Sequence, residues 1–110
     1  MGNAVSREVR PRVVDKDVTQ GIPERVILVA EDDARIRDLI TEGLESFGFK
    51  VIPTDNSENA LELLKDSSRT IHLLLTDIMM PGKSGKVLAE EAAMLRPDLK
   101  ILFMSGFASD

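Results

Sequence analysis

Acidic side chains directly follow two of the most apolar segments of the chain. Glu31 and Asp32 come after the run Val26–Ala30. Asp77 comes after another apolar run, residues 71–76. Short, continuous apolar runs are typical of strands that are covered on both faces of a parallel sheet. Because open α/β sheets bind ligands at the carboxyl ends of their strands, the sequence predicts a carboxylate cluster at that edge.

Such a cluster favours binding of a hard divalent cation and transfer of a phosphoryl group. Mg²⁺ prefers oxygen ligands and is typically held by one or two carboxylates together with waters and a phosphate. A carboxylate can also be a nucleophile that accepts a phosphoryl group as an acyl phosphate. Ser105, which follows the last apolar segment, could donate its hydroxyl to a phosphoryl oxygen. Asp33 has a different expected role, because its position favours the cap of a helix.

Four apolar segments alternate with three helical patterns after residue 25. This β-α-β-α-β-α-β order predicts right-handed crossovers and a parallel, doubly wound α/β sheet of the flavodoxin-like type. The predicted strands are residues 26–30, 49–52 (ended by Pro53), 71–76 and 99–104. The first predicted helix covers residues 34–47 and is ended by Gly48. The second is capped by Asn56 or Ser57 and carries Ala60, Leu61 and Leu64. The third is marked by Val87, Leu88, Ala92 and Leu95 and is closed by Pro97.

The composition excludes several classes of function. The chain has no cysteine, which excludes disulfides, thiolate metal sites and cysteine nucleophiles. Its single histidine, His72, excludes zinc sites built from several histidines and is expected to be structural. The net charge of -5 argues against a nucleic-acid-binding face. No apolar run is long enough to span a bilayer and no secretory signal is visible, so we expect a cytoplasmic location without membrane contact.

Four motifs occur in order along the chain: residues 29–33, residues 75–82, Ser84 with Gly85, and residues 102–106. Together they resemble the receiver (response-regulator) domain of two-component signalling. The resemblance extends from about Arg25 to the end of the chain, and the motifs occur in the family's order on the expected strands. It implies a phosphoacceptor module that takes a phosphoryl group from a histidine kinase or a histidine phosphotransfer domain and then changes its partner interactions.

The resemblance also implies a role for each matching residue. Asp77 corresponds to the phosphoacceptor, and Ser105 corresponds to the switch hydroxyl. Asp32 corresponds to a direct Mg²⁺ ligand, and Glu31 to one that acts through water. Met79 is expected to offer its backbone carbonyl to the metal. The family is not a class of enzymes beyond its own Mg²⁺-dependent phosphorylation and dephosphorylation.

The end of the chain departs from the family pattern. In the family order 2-1-3-4-5, a fifth strand with a lysine before a proline and a last helix follow, and none of these is present here. Lys83, Lys86 and Lys100 do not match that lysine. We therefore expect residues 1–24 to be a flexible linker or tail and residues 25–110 to be a receiver domain that is incomplete at its C-terminus.

Several alternatives remain open from the sequence. One is a degenerate receiver that binds partners without phosphorylation, which the missing lysine favours. Another is a phosphatase with an aspartate nucleophile, although that class places a second aspartate where Met79 stands. The N-terminal stretch and the Leu-Phe-Met-Ser-Gly-Phe ending resemble receivers at the C-termini of hybrid sensor kinases, a resemblance that implies the cytoplasmic face of a membrane. An apolar last strand at a sheet edge predicts a homodimer or a swapped dimer.

Overall fold

A four-stranded parallel sheet organises the part of the chain that this computed structural model describes, residues 24–104. Its strand order, β2-β1-β3-β4, confirms the predicted flavodoxin-like arrangement. None of the helices in the described residues is long and apolar enough to cross a membrane. The strands are β1 (Val26–Ala30), β2 (Lys50–Thr54), β3 (Leu73–Asp77) and β4 (Lys100–Met104), and the helices are α1 (Ala34–Ser46), α2 (Ser57–Lys65) and α3 (Gly85–Leu95).

The central strand β1 is buried on both faces, as its unbroken apolar sequence predicts. All five of its residues are buried. Leu28 and Ala30 belong to the larger core, which α2 and α3 cover with residues such as Leu64 and Leu88. Ile27 and Val29 belong to a smaller core on the other face, which α1 covers. This two-sided cover fixes β1 in the middle of the sheet and so places the residues that follow it near β3.

Local side-chain and backbone bonds set the ends of the helices. Asp33 caps α1 by accepting the backbone N–H groups of the first turn, as predicted. Asn56 caps α2, which decides between the two residues that the sequence offered. Gly48 follows the end of α1 with a positive φ of 97°, and its N–H donates to the carbonyl of Glu45 at 3.0 Å. The predicted stop at Gly48 is therefore a glycine-dependent backbone turn.

The second strand differs from its prediction because of its place in the sheet. We predicted that Pro53 ends it, whereas β2 continues through Pro53 to Thr54. Pro53 lies opposite Val29 in the register, and β2 pairs only with β1 among the described strands. A proline lacks a backbone donor, and it is tolerated on an edge strand where that donor would face away from the sheet. Whether a strand lies at an edge is not visible in its own sequence.

The fourth strand and helix α1 leave apolar surface exposed among the described residues. Leu102 and Phe103 of β4 are 56% and 45% exposed, and Leu39 of α1 is 72% exposed. No side chain of α1 is fully buried, although its apolar spacing predicted an amphipathic helix. In the described part of the chain, β4 pairs with β3 alone. Because successive residues of a strand point to opposite faces, Leu102 and Phe103 leave exposed apolar surface on both faces of the sheet at β4.

Most residues at the two ends of the chain lie outside the residues that the structure describes. The predicted linker covers residues 1–24, and of these only Glu24 is described. Ser105, the predicted switch hydroxyl, also lies outside the described residues. Both assignments therefore stay predictions.

Candidate functional site

Three of the predicted carboxylates meet at the carboxyl edge of the sheet. One ligand oxygen from each of Glu31, Asp32 and Asp77 lies within 4.8 Å of the others. The strand register explains this meeting, because Ala30 pairs with Thr76 and each of these two residues is followed in the chain by an acid. The sequence predicted this convergence from the positions of the acids after their strands.

Glu31 is the most buried member of the cluster. Its residue is 3% exposed, its N–H donates to the carbonyl of Thr54 at 3.1 Å, and its carboxylate accepts the N–H of Asp33 at 2.9 Å. Burial, and then the negative charges of Asp77 and Asp32, raise the pKa of Glu31 from its ordinary 4.5 to about 7. The buried carboxylate of Glu31 therefore favours its protonated form in the metal-free protein.

We expect the metal-free protein to lose stability as the pH rises from about 4.5 to about 7. In this window the folded state binds more protons than the unfolded state, because the pKa of Glu31 is raised on folding. The pKa values of Asp33 and Asp66 are lowered, so these two groups change the stability of the protein only at more acidic pH, below their ordinary pKa of 3.8. Denaturant melts in a metal chelator should show the decline in the wild type and a smaller one in Glu31→Gln. Equal slopes in the two proteins would contradict the prediction.

Asp77 is the last residue of β3, and its backbone is held closely. Its carboxylate accepts the N–H of Met79 at 3.2 Å, and its carbonyl accepts the hydroxyl of Thr76 at 2.9 Å. The carbonyl also faces Gly85 so closely that a Cβ at Gly85 would overlap the Asp77 oxygen. Only a glycine can occupy that position without a shift of the backbone that carries Asp77.

The loop between β3 and α3 is anchored at several points around Asp77. Met80 is buried in the larger core, and the N–H of Gly85 donates to the carbonyl of Ile78 at 2.8 Å. The hydroxyl of Ser57, on α2, donates to the carbonyl of Lys83 at 2.8 Å. These contacts join the segment that contains Pro81 and Gly82 to the core and to α2. The attachment of this loop to α2 could not be predicted from the sequence.

Three further residues singled out from the sequence, Met79, Lys83 and His72, make different contacts in the structure. The side chain of Met79 is exposed, and its backbone N–H donates to the Asp77 carboxylate, while the metal-binding role of its carbonyl stays a prediction. The ammonium of Lys83 is 2.8 Å from Glu91, so it is held by α3. His72 is half-buried and accepts the N–H of Val26 at 2.9 Å on Nδ1, which is the structural role that we predicted.

Sequence reasoning missed Arg37. Its guanidinium donates to the carbonyl of Glu31 at 2.8 Å and lies 3.5 Å from that of Asp32. The signal was a basic residue six positions after Glu31, in the early part of the helix that follows the acids. Charged residues on an exposed helix are common, so this spacing alone did not distinguish Arg37 from its neighbours.

The donor set fits a hard divalent cation. Mg²⁺ is bound by oxygen ligands, with few protein carboxylates and several waters. Three carboxylate oxygens within 4.8 Å of one another provide such a set. Burial first, and then the neighbouring acidic charges, raise the pKa of Glu31. In the described residues, the charges of this edge of the sheet therefore suit a cation better than an anion.

A doubly wound parallel sheet with a cluster of carboxylates at its carboxyl edge is typical of α/β domains that accept a phosphoryl group. The family model of the response regulator receiver domain matches residues 27–110. The chain therefore belongs to the response regulator receiver domain family.

Individual relatives and structures agree with this assignment. The chain is 45% identical over 83 residues to the response regulator receiver protein CpdR of Brucella abortus, a match that covers 76% of this chain and 68% of CpdR. It is 30% identical over 84 residues to the sensor kinase CckA of the same organism, covering 76% of this chain and 9% of CckA. The crystal structure of the response regulator TrrA from Thermotoga maritima, in complex with Mg²⁺-BeF, matches with a TM-score of 0.69 and 34% identity. That match covers 77% of this chain and 72% of TrrA.

Proposed function

We propose that this receiver domain accepts a phosphoryl group on Asp77 with the help of Mg²⁺. The observation that carries the proposal is the meeting of Asp77 with Glu31 and Asp32 at the carboxyl edge of the sheet. The Mg²⁺-BeF complex of TrrA supports the choice of metal, because that protein is similar in sequence and fold. The metal would neutralise charge on the transferring group, which is where most catalysis of phosphoryl transfer arises.

Each residue of the cluster has a distinct part in the proposal. A carboxylate oxygen of Asp77 forms the new P–O bond while the bond between phosphorus and the donor breaks, and the donor leaves with the bonding electrons. Asp32, which is exposed, holds the metal directly, and the buried Glu31 acts on it through water. The carbonyl of Met79 is a further metal ligand, and Ser105 binds a phosphoryl oxygen as the switch hydroxyl.

The residue two positions after Asp77 argues against a phosphatase with an aspartate nucleophile. That class needs an acid two residues after the nucleophile to protonate the leaving group. Met79 stands there, and its thioether can supply no proton. We therefore propose a signalling domain whose only chemistry is its own phosphorylation and dephosphorylation.

The proposed phosphoryl donor is a phosphohistidine on a histidine kinase or a histidine phosphotransfer domain. The chain is similar both to CpdR, of which the match covers 68%, and to the sensor kinase CckA, of which it covers 9%. The kind of protein that contains this domain is therefore proposed here and does not follow from the similarity. We propose a cytoplasmic location, on the inner membrane face if the domain belongs to a hybrid kinase. The absence of cysteine suits that reducing compartment.

Labelling with a small phosphodonor tests the proposed function. We expect acetyl phosphate to add one phosphoryl group to the chain in the presence of Mg²⁺ and little or none after chelation. Asp32→Ala should need much more Mg²⁺ for the same extent of labelling, because few protein ligands hold the ion and binding is in the millimolar range. Intact mass measures the product. Labelling that is absent from a folded sample would instead favour a receiver that acts without phosphorylation, and labelling that is independent of Mg²⁺ would contradict the proposed role of the metal.

We also propose that a protein of these 110 residues self-associates through β4. An apolar strand edge is a template for pairing with another chain, and Leu102 and Phe103 of this edge are exposed in the described residues. Sedimentation over a wide concentration range should show a dimer or larger species, and charged substitutions at Leu102 should reduce it. A single monomeric species at every concentration would show that β4 does not act as such a template.

A further inference from the structure

Arg37 holds the backbone on both sides of the Asp32 α-carbon. Its Nη1 donates to the carbonyl of Glu31 at 2.8 Å, and the carbonyl of Asp32 lies 3.5 Å from the same nitrogen. The first carbonyl belongs to the peptide unit before Asp32 and the second to the peptide unit after it. The guanidinium is therefore hydrogen-bonded to the peptide unit before Asp32 and in weaker contact with the one after it, and these two units set the direction of the Asp32 side chain.

The contacts of Arg37 leave the carboxylates of the cluster available. Within residues 24–104, no carboxylate oxygen lies within 4.0 Å of the Arg37 guanidinium. Arg35, two positions earlier, behaves differently, because its guanidinium lies 3.6 Å from the Asp33 carboxylate and its side chain is 92% exposed. Arg37 is half-buried and bonds only to backbone near the acids.

We propose that Arg37 is a positioning residue for the divalent cation. It fixes the segment between β1 and α1 so that the Asp32 carboxylate points towards Asp77 before the metal binds. The inference rests on the proposed function, since it concerns the same cation site. Glu31 is held from three other directions, by Thr54, by Asp33 and by the core, so the exposed Asp32 depends more strongly on Arg37.

The charge of Arg37 and its hydrogen bonds predict opposite effects on metal affinity. A guanidinium near the site repels Mg²⁺, so removal of its charge alone would strengthen binding. Removal of a residue that orients a metal ligand weakens binding, typically by 10-fold to 100-fold. The direction of the change in Arg37→Met therefore separates a positioning role from a purely electrostatic one.

Calorimetric titration of the full chain with Mg²⁺ tests the inference, at one pH and one ionic strength. We expect Arg37→Met to bind Mg²⁺ about 10-fold more weakly than the wild type. Arg35→Met, the matched control on the same helix, loses the same charge and should bind with unchanged or slightly higher affinity. Arg37→Lys keeps the charge and a single donor group, and we expect it to recover part of the lost affinity.

The outcomes separate this inference from the proposed function. Binding by Arg37→Met that equals or exceeds that of the wild type overturns the positioning role. An equal weakening in Arg35→Met does so as well. If Arg37→Met does not give a cooperative melt, Arg37→Lys decides: affinity equal to that of the wild type, which carries the same charge, overturns the inference, and weaker binding supports it. A wild type that binds no Mg²⁺ at millimolar concentrations overturns the proposed function itself.

Discussion

Asp77→Asn should abolish covalent phosphorylation of the chain. The amide is nearly the same size as the carboxylate, but it is a far weaker nucleophile and cannot form the acyl phosphate. After treatment with acetyl phosphate and Mg²⁺, intact mass should show the added phosphoryl group in the wild type and none in the variant. The expected effect is complete, because of the three clustered carboxylates in the described residues Glu31 is buried and Asp32 is proposed to hold the metal, which leaves Asp77 as the nucleophile.

Two controls make this result specific. Asp33→Asn changes the nearest aspartate outside the cluster, and asparagine caps a helix about as well as aspartate, so labelling should persist. Asp77→Asn should also remain folded, because the charge of Asp77 is one of the causes that raise the pKa of Glu31 and its removal relieves repulsion. Equal phosphoryl gain by the wild type and Asp77→Asn would place the acceptor elsewhere.

Gly85→Ala should cause a large loss of stability and of phosphoryl acceptance. A Cβ at this position would overlap the carbonyl oxygen of Asp77 and press on the backbone of Ile78. These are backbone atoms, which cannot move aside as a flexible side chain would, so the start of α3 must shift away from β3. Overpacking of this kind destabilises by about 1–3 kcal/mol, and we expect the upper end of that range. Denaturant unfolding measures the free energy, and acetyl phosphate labelling measures the acceptor.

Gly43→Ala is the matched control for this substitution. Gly43 lies inside α1, and a Cβ there would meet nothing within 4 Å. Alanine should therefore stabilise the protein by about 0.5–1 kcal/mol, because it lowers the backbone entropy lost on forming the helix. Labelling should be unaffected. If the two alanine variants were equally stable, the close approach at Gly85 would be of no energetic importance.

The order of the elements and the members of the acidic cluster were already determined by the sequence. The apolar run Val26–Ala30 predicts a buried strand because burial on both faces removes any need for alternation. An acid directly after such a strand must lie at its carboxyl end, which gave Glu31 and Asp77 their places. The Asp33 cap could also be predicted, because side-chain capping involves only the next few residues of the chain. The receiver resemblance rested on these same local motifs.

Other properties were decided only by which elements lie beside one another. Pro53 belongs to β2 because that strand lies at the edge of the described sheet, and a strand's own sequence does not say which neighbours it has. Glu31 is buried and Asp32 exposed, although they are adjacent acids, because the backbone of Glu31 continues the pairing with Thr54. The approach of Gly85 to Asp77 likewise needed the folded loop. Periodicity reports whether a residue is buried, but a hydrogen bond or a steric contact depends on atoms that the chain brings together only on folding.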